Sequence, residues 1–326
     1  MRRRTIPGSE LEVSVIGLGG VTFGHGLDAD GTKHIIRAAR DAGINFVDTA
    51  PLYGEPFGDS EDFIGRALSG VRDDFVIGTK VGFPAEFAEN EGRFLPELHG
   101  LLAPEAIKRS VEGSLRRLRT DRVDILYLHW PDSSTPLAQT WETLQRLHDS
   151  GKVRSFGFSW HSATQIRAAV QLCADMGWVG PSIINDAYNL LDRSLEQEVM
   201  SECERWGIAI APAFPLAGGL LTGKYRAGNI PTGSRLAEFE PFRPWTDNQH
   251  LNAIEPYAEY ARAHGHSLAE LALAWLLHRR MVCSVVVGAT STTQLISNAR
   301  AADWQLGDDE LDSLEQLPHN GLPRLF

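Results

Sequence analysis

The feature that most constrains the fold is a regular alternation of short, β-branched apolar segments with longer segments of helical periodicity. The alternation runs the length of the chain without a linker and contains eight strand candidates: VIGLG from Val15, NFVDTA from Asn45, FVIGTKV from Phe75, VDILYLHW from Val123, VRSFGFSW from Val153, SIINDAYN from Ser182, IAIAPAF from Ile208 and VCSVVVGA from Val282. Several are almost continuously apolar, as parallel strands buried on both faces are. Open doubly wound sheets usually have about five or six strands. The sequence therefore predicts an α/β fold in which residues 1–326 form a single (β/α)8 TIM-barrel domain.

Local signals mark the ends of the helices between these strands. Pro104 stands at a first helical position, and the apolar residues after it recur on one helical face: Ile107, Val111, Leu115 and Leu118. Ser267 and Glu270 have the spacing of a capping box. Glycines that suit left-handed helix ends precede three of the strands: Gly43, Gly151 and Gly207.

Segments outside the repeat are predicted to lie at the two ends of the barrel. A hairpin around Pro7 and Gly8 would close the bottom. Three longer stretches would fold over the carboxyl ends of the strands, where active sites of such barrels lie: residues 82–103, residues 218 to about 250, and the tail after Leu317.

Composition narrows the classes of partner. The 31 Lys and Arg residues against 42 Asp and Glu residues give a formal charge of -11, which disfavours nucleic acid. The 3 cysteines have no disulfide-type or metal-type spacing. A polar turn follows the basic N-terminus where a signal peptide would be apolar, and no apolar run reaches the ~18 residues of a membrane span. We therefore expect a cytoplasmic protein that binds neither nucleic acid nor a membrane; the sequence leaves its oligomeric state open.

Four polar residues at or just beyond the ends of successive predicted strands are the candidate catalytic group: Asp48, Tyr53, Lys80 and His129. A lysine at a barrel mouth needs a partner, and Asp48 is one strand away. A cation beside a phenol lowers its pKa from about 10 toward neutrality, so Tyr53 could donate a proton. A neutral His129 could orient a carbonyl oxygen.

Each of the four residues also has a structural alternative when taken singly. Asp48 could cap a helix, Tyr53 could pack in a loop, Lys80 could reach solvent, and His129 could sit hydrogen-bonded near the core. Their convergence on one rim favours catalysis. His25, His129 and His161 lack the short spacings of metal-ligand pairs, so no metal site is predicted.

Motifs throughout the chain resemble the aldo-keto reductase family. DTAPLYG at residues 48–54, GTK at 78–80 and LHWPD at 128–132 carry the resemblance around the candidate catalytic group. Further segments match in the expected order: GLGGVTFG from Gly17, DAGINFVDTA from Asp41, GKVRSFGFS from Gly151, YNLLDR from Tyr188, PLAGGLLTGKY from Pro215 and GATSTTQLISN from Gly288. The resemblance implies a reversible hydride transfer between C4 of a nicotinamide and an aldehyde or ketone. Tyr53 would then be the general acid or base, with Lys80 and Asp48 tuning it and His129 positioning the carbonyl.

The same resemblance implies a site for NADP(H) or NAD(H). The residues that it assigns to the cofactor are Gly20, Val21, Asp48, Ser159, Asn185, Phe214, Pro215, Leu216, Ala217, Gly218, Lys224, Arg235, Gly288, Thr290, Gln294 and Asn298. A helix that begins near Thr292 would offer free N–H groups to a phosphate. No Lys or Arg lies in residues 288–298, where many members that prefer NADPH have a basic residue, so the choice of cofactor stays open.

The chain departs from the family pattern near the nicotinamide. Trp160 follows Ser159 where the family usually has Asn, Asn185 stands where it has Gln, and Ala213 replaces an aromatic residue, with Phe214 next to it. An aromatic substrate pocket is predicted from Phe23, Trp130 and Trp160, with barrel-end packing as the alternative explanation of each Trp.

Three functions are compatible with these patterns. The first is an NAD(P)-dependent reductase of small-molecule carbonyl compounds. The second is an NAD-dependent sugar or alcohol dehydrogenase that works in the oxidative direction. The third, from another class, is a nucleotide-binding regulatory barrel such as a potassium-channel β subunit. The intact catalytic group favours an enzyme.

Overall fold

Eight parallel strands form a closed sheet in the computed structural model, which describes residues 1–83, 99–225, 230–232, 234–238, 245 and 247–317. The strands of the chain are β1 Arg3–Thr5, β2 Glu12–Ser14, β3 Ile16–Gly19, β4 Phe46–Asp48, β5 Val76–Val81, β6 Val123–Leu128, β7 Val153–Phe158, β8 Pro181–Ile184, β9 Ala209–Ile210 and β10 Val285–Val287. The order within the large sheet is β10-β3-β4-β5-β6-β7-β8-β9. Each of the eight predicted strands is therefore present.

The two edges of this sheet meet beside β9. The N–H of Ile210 donates to the carbonyl of Met281 at 2.7 Å, and the N–H of Cys283 donates to the carbonyl of Ile210 at 2.9 Å. These bonds join β9 to the segment that leads into β10 and so complete the ring. The predicted (β/α)8 barrel is confirmed.

Helices connect the strands and cover the outside of the sheet. Their bounds are α1 Ala29–Asp41, α2 Asp59–Ala67, α3 Pro104–Leu118, α4 Leu137–Asp149, α5 Ala163–Met176, α6 Val199–Trp206, α7 Arg235–Glu238, α8 Asn248–Ala253, α9 Glu255–Ala263, α10 Leu268–His278, α11 Thr292–Arg300 and α12 Asp308–Glu315. Helix α3 begins at Pro104 and buries its predicted apolar face. Ser267 and Glu270 form the predicted capping box of α10. The glycines at 43, 151 and 207 all have positive φ.

The N-terminal hairpin closes the bottom of the barrel, as predicted. Strands β1 and β2 pair antiparallel, and Ile6, Leu11 and Val13 pack against inward-facing residues of the barrel. These inward-facing residues include Phe46, Val76, Ile125, Tyr127, Ile183, Ala209, Cys283 and Val286. At the amino end of β4, the side chain of Asn45 accepts the N–H of Ser14 at 2.6 Å. The opposite end of the barrel therefore remains available for a site.

The predicted long loops are described only in part. Residues 84–98 of the first, several positions between 226 and 246 of the second, and the tail from residue 318 lie outside the described residues. The prediction that they cover the site therefore stays a prediction. Within the described ranges, no helix is both long and apolar enough to span a membrane.

Candidate active site

Lys80 and Asp48 form a buried ion pair at the carboxyl ends of two adjacent strands. Strands β4 and β5 run parallel with Asp48 opposite Gly78, which places the lysine just beyond the carboxylate. The ammonium of Lys80 donates to Oδ1 of Asp48 at 2.5 Å and to the carbonyl of Thr49 at 3.0 Å. Both side chains are buried, with exposed fractions of 1% and 5%. A buried charge needs such a partner, and here it has one.

The environment keeps this ammonium charged. Burial acts to lower the pKa of Lys80, but the charge of Asp48 and the neighbouring Tyr53 outweigh it, so the pKa is raised above its usual value. Oδ2 of Asp48 is buried and has no hydrogen-bond partner among the described residues. The ion pair therefore places a charged ammonium at the barrel mouth and leaves Oδ2 of Asp48 able to accept a hydrogen bond.

Tyr53 lies in the turn that follows β4 and is half-buried. The Nζ of Lys80 is 4.9 Å from the centroid of its ring. The turn is compact: the backbone carbonyl of Tyr53 accepts the N–H groups of Gly58 and Ser60, each at 3.2 Å. Gly54 has a φ of 103° and lies so close to Asp59 that a Cβ would come within 2.7 Å of it. The backbone around Tyr53 thus holds the phenol next to the ammonium.

A second tyrosine, which the sequence analysis missed, completes the surroundings of the lysine. Tyr127 on β6 points into the barrel, and its ring centroid is 5.7 Å from Nζ of Lys80. Burial and the nearby charge of Asp48 raise the pKa of Tyr127 well above 10, so this phenol stays protonated. Its place two residues before His129, on the strand that leads to this histidine, was the signal available in the sequence.

His129 follows β6 and is a buried, neutral imidazole. Burial, the charge of Lys80 and the neighbouring His161 lower its pKa well below 6.5. The ring stacks on Trp130 with centroids 3.8 Å apart, and Nδ1 has no hydrogen-bond partner among the described residues. A neutral imidazole can donate a hydrogen bond to an uncharged oxygen, which suits the predicted contact with a carbonyl.

His161 is another buried residue that the sequence analysis did not assign to the site. Its Nδ1 lies 2.6 Å from the carbonyl oxygen of Ser159. Burial lowers the pKa of His161 to about 4, although the hydrogen bond to Ser159 acts in the opposite direction. It is neutral at physiological pH. No spacing pattern in the sequence indicates that His161 belongs to the site, because its contacts depend on the turn after β7.

The ends of β7, β8 and β9 form the other half of the rim. Ser159 is buried, and its hydroxyl has no partner among the described residues. The side-chain amide of Asn185 donates to the carbonyl of Ala211 at 2.9 Å. Trp160 and Phe214 are half-buried, and their ring centroids are 6.3 Å apart. Three of these residues, predicted for the cofactor, therefore lie together with Trp160, which was predicted for the substrate pocket, across the rim from the Lys80 pair.

Glycine-rich backbone continues this half of the rim beyond β9. Pro215 and Leu216 lead into a short helical segment, residues 217–222, within which Gly218 and Gly219 have φ values of 64° and 108°. Lys224 is exposed, with its Nζ 4.9 Å from the ring centroid of Tyr225. Arg235 begins α7, and its side chain lies outside the described residues.

The predicted adenosine end of the site is a loop and helix unit after β10. Oε1 of Gln294 accepts the N–H and the hydroxyl of Thr290 at 2.8 and 3.0 Å. Asn298 donates to the carbonyl of Gly288 at 3.3 Å. Helix α11 starts at Thr292 with the hydroxyl of Ser291 as its cap. The predicted residues thus meet, and several of their hydrogen-bonding groups are already used within the unit.

The predicted substrate-pocket residues differ in where they lie. Trp130 is half-buried at the rim, 5.5 Å from Phe83 between ring centroids, and Phe57 contacts Phe83 edge-on at 5.9 Å. Phe23, in contrast, is fully buried in the core between the sheet and the helices. The expectation that Phe23 forms a pocket wall needs correction, because its ring is enclosed by core residues. Phe83 and Phe57 lie beside Trp130 at the rim instead.

The residues present fit a nicotinamide dinucleotide. The rim carries two buried oxygens without a hydrogen-bond partner among the described residues, the hydroxyl of Ser159 and Oδ2 of Asp48. At Gly20 a Cβ would lie 2.9 Å from the carbonyl of Asp48, so the chain passes close to the site only because this residue is glycine. In the described part of the chain, no group of three or more His, Cys, Asp or Glu residues could hold a metal ion.

The barrel carries a charged lysine against a tyrosine at its rim, and the opposite side of the rim suits a dinucleotide. This combination is typical of nicotinamide-dependent oxidoreductases. The sequence model of the aldo/keto reductase family matches residues 15–318. The chain belongs to the aldo/keto reductase family, and it is an NAD(P)H-dependent oxidoreductase.

Individual relatives have several functions. The chain is 34% identical to a probable voltage-gated potassium channel subunit beta of Oryza sativa subsp. japonica over 93% of this chain and 92% of that protein. It is 30% identical to the NADH-specific methylglyoxal reductase of Escherichia coli (strain K12) over 97% and 98% of the two chains. Identity to the L-glyceraldehyde 3-phosphate reductase of Escherichia coli O157:H7 is 33% over 90% and 85%.

Proposed function

We propose that this protein, acting as a single barrel domain, reduces the carbonyl group of small aldehydes or ketones to alcohols, with Tyr53 as the proton donor. The observation that supports this most is the ion pair of Lys80 and Asp48 beside the Tyr53 ring. A permanent cation beside a phenol favours its ionised form, so the proton is held less tightly than in a free tyrosine. Tyr53 then transfers a proton at neutral pH, which general acid catalysis requires.

Each of the four candidate residues has a separate role in the proposed reaction. The reduced nicotinamide, when bound, supplies a hydride from C4 to the carbonyl carbon. The Tyr53 hydroxyl gives its proton to the carbonyl oxygen as negative charge develops there. Lys80 stabilises the resulting phenolate, and Asp48 keeps Lys80 charged and oriented. His129, neutral and buried, donates a hydrogen bond that orients the carbonyl. In the reverse reaction, Tyr53 acts as the base.

Two of the named relatives support a carbonyl substrate. One is named for methylglyoxal and the other for L-glyceraldehyde 3-phosphate, and both names are those of reductases. We therefore propose the reductive direction and a small carbonyl compound. In the oxidative direction, the enzyme would act as a sugar or alcohol dehydrogenase with the same residues. An assay of both directions distinguishes the two functions.

The deciding experiment measures steady-state rates with a panel of aldehydes, ketones, sugars and alcohols and all four nicotinamide cofactors. The proposal requires a higher kcat/KM for at least one carbonyl compound with NADH or NADPH than for any alcohol with NAD+ or NADP+. A preference for alcohols at neutral pH would instead identify a dehydrogenase.

A second candidate comes from the relative named as a probable potassium channel subunit beta. In that case the protein would bind a dinucleotide and a membrane protein, and turnover would be incidental. Single-turnover kinetics distinguish the two. A regulatory subunit would keep its reduced cofactor for many minutes in the presence of each carbonyl, whereas a reductase oxidises it rapidly.

A further inference from the structure

Ser60 connects three segments that meet around the Tyr53 turn. It is the second residue of α2 and is fully buried. Its hydroxyl donates to the carbonyl of Gly20, after β3, at 2.8 Å, and lies 2.8 Å from the hydroxyl of Thr49, after β4. Because Gly20 uses the single proton of this hydroxyl, Thr49 is the donor in the second bond. The N–H of Ser60 donates to the carbonyl of Tyr53 at 3.2 Å.

Thr49 links this network to Lys80. The carbonyl of Thr49 accepts the ammonium of Lys80 at 3.0 Å, and its N–H donates to the carbonyl of Gly78 on β5 at 2.8 Å. The side chain of Thr49 is fully buried, so its hydroxyl depends on the bond to Ser60. The turn that carries the phenol and the carbonyl that holds the ammonium are therefore joined through two buried hydroxyl groups.

Helix capping, the usual role of a serine in a first helical turn, does not explain this arrangement. The residue before α2 is Gly58, which provides no side-chain cap, and the Ser60 hydroxyl donates to a carbonyl outside the helix. The backbone approaches Ser60 closely on two sides: a Cβ at Gly20 would lie 2.9 Å from its Oγ, and one at Gly54 would lie 3.0 Å from its N. The Tyr53 turn has little room to shift while these bonds are intact.

The next residue of α2 fixes the strand that carries the lysine. Glu61 is fully buried, and its carboxylate accepts the hydroxyl of Thr79 at 2.6 Å and the Nε–H of Arg117 at 2.7 Å. Thr79 immediately precedes Lys80 on β5. Successive residues of one helical turn therefore hold the Tyr53 turn and the Lys80 strand, which sets the separation of the two side chains.

We propose that Ser60 is a positioning residue, whose hydroxyl and N–H hold the Tyr53 phenol next to the Lys80 ammonium. The inference rests on the proposed function for its effect on turnover, but the placement itself can be measured without a substrate. Loss of the hydroxyl leaves Gly20 and Thr49 without a buried partner and releases the turn. For charges about 5 Å apart, a displacement of about 1 Å shifts a pKa by about half a unit at an effective dielectric constant of about 20.

The test removes the hydroxyl and titrates the phenol. Ser60→Ala loses only the oxygen, and tyrosine labelled with ¹³C at Cζ reports the ionisation of each phenol by NMR. The chain has 6 Tyr residues, so Tyr53→Phe assigns the signal. We expect the midpoint of the Tyr53 titration to rise by about half a pH unit in Ser60→Ala, because the phenolate is farther from the ammonium. The titratable groups of the site are the same in both proteins: Asp48, Lys80, Tyr127 and His129.

Steady-state kinetics give a second readout. A displacement of about 1 Å at a reacting group costs up to about 10²-fold in rate, so kcat for a carbonyl substrate should fall about tenfold in Ser60→Ala. The Kd of the reduced cofactor should change by less than about threefold. Where chemistry limits the rate, the basic limb of the kcat profile should move to higher pH, because the proton donor ionises later.

Two variants of Thr49 separate hydrogen bonding from packing. Thr49→Val keeps the shape and removes the hydroxyl, so it should shift the phenol titration in the same direction as Ser60→Ala. Thr49→Ser keeps the hydroxyl, loses a methyl group and should stay closer to the wild type. A role in packing alone predicts the reverse order, because the cavity is then the main defect. This pair decides the question even if Ser60→Ala does not fold.

Thr140→Val is the matched control. Thr140 lies in the first turn of α4 and is buried, and its hydroxyl donates to the carbonyl of Leu102 at 3.0 Å. This variant also loses one buried hydroxyl, but the Tyr53 titration and kcat should not change. An unchanged Tyr53 midpoint in Ser60→Ala, or the same shift in Thr140→Val, would overturn the inference. If the wild type reduces no carbonyl compound, the proposed function fails, and the phenol titration still decides the role of Ser60.

Discussion

Nζ of Lys80 and Oδ1 of Asp48 are 2.5 Å apart, and burial removes both from solvent almost completely. A buried ion pair of this kind is costly to break because the remaining charge is left without compensation. Its position against Tyr53 supports the proposal that the pair favours ionisation of the phenol.

The first prediction is that Lys80 and Asp48 act as one unit in turnover. Either Lys80→Met or Asp48→Asn should lower kcat, because the cation is lost in one variant and loses its partner in the other. The double variant should be little worse than the poorer single variant. A double-mutant cycle on kcat measures this, and fully additive losses would contradict the coupling.

The second prediction concerns the proton donor. Tyr53→Phe removes only the hydroxyl, so cofactor affinity and the free energy of unfolding should change little while kcat falls by about 10²- to 10⁴-fold. Rapid-quench kinetics should establish that chemistry limits the rate. The buried phenol of Tyr127 provides the matched control, since Tyr127→Phe should leave a much larger fraction of the activity. A Tyr53→Phe enzyme with more than half of the wild-type kcat would remove Tyr53 from this role.

The third prediction is a pH dependence of stability that comes from His161. Its pKa is about 4 in the folded protein because of burial, against about 6.5 for an unfolded histidine. Between these values the unfolded chain binds more protons, so the free energy of unfolding decreases as the pH is lowered through this window. By pH 4.5, His161 should have lowered the free energy of unfolding by about 2 to 3 kcal/mol, at about 1.36 kcal/mol per pH unit.

The measurement is urea unfolding of the wild type and His161→Gln at a series of pH values from 7 to 4.5. The variant should show a shallower decrease, and the two curves should converge as the pH is lowered. His34→Gln, which removes an exposed imidazole on α1, is the matched control. Parallel curves for the wild type and His161→Gln would exclude the assignment.

The fourth prediction concerns the close packing of α2 on α3. A Cβ at Gly65 would lie 2.4 Å from the carbonyl oxygen of Arg117, a backbone atom that cannot move aside. Gly65→Ala should therefore destabilise the protein by about 1 to 3 kcal/mol, despite the better helix propensity of alanine. Gly113→Ala is the control: its new Cβ would meet only the flexible end of the Arg117 side chain, at 3.1 Å. Equal unfolding midpoints for both variants would contradict the argument.

The fifth prediction is modest selectivity between NADH and NADPH. Thr290 and Gln294 are hydrogen-bonded to each other, and residues 288–298 carry no cation for a 2′-phosphate. The hydroxyls and the start of α11 can still bind a phosphate. One missing charge-assisted hydrogen bond corresponds to about one to two powers of ten in affinity.

Thr290→Arg should shift the preference toward NADPH, and Thr290→Gln serves as an uncharged control of similar length. Titration of each protein with both cofactors measures the ratio of the two Kd values. A wild-type preference for NADPH above ~1000-fold would show that a cation reaches the phosphate from another segment.

Sequence patterns determined the barrel and its order of elements. All eight strands were predictable because strands buried on both faces must be apolar along their length, and that composition is visible locally. The capping box at Ser267 and the glycines after the helices were predictable for the same reason, since each motif is completed within a few residues. Asp48, Lys80 and His129 could be grouped because parallel strands end on one rim.

Only the tertiary structure decided which side chains meet and which are enclosed. Phe23 is fully buried in the core although its position near a strand end suggested the rim. Tyr127 contacts Lys80, and Trp160 contacts Phe214. Each contact joins residues from different strands, so no local sequence pattern predicts it. Burial and through-space charge also set the protonation of His129. These quantities depend on packing between segments distant in the chain, which sequence periodicity does not encode.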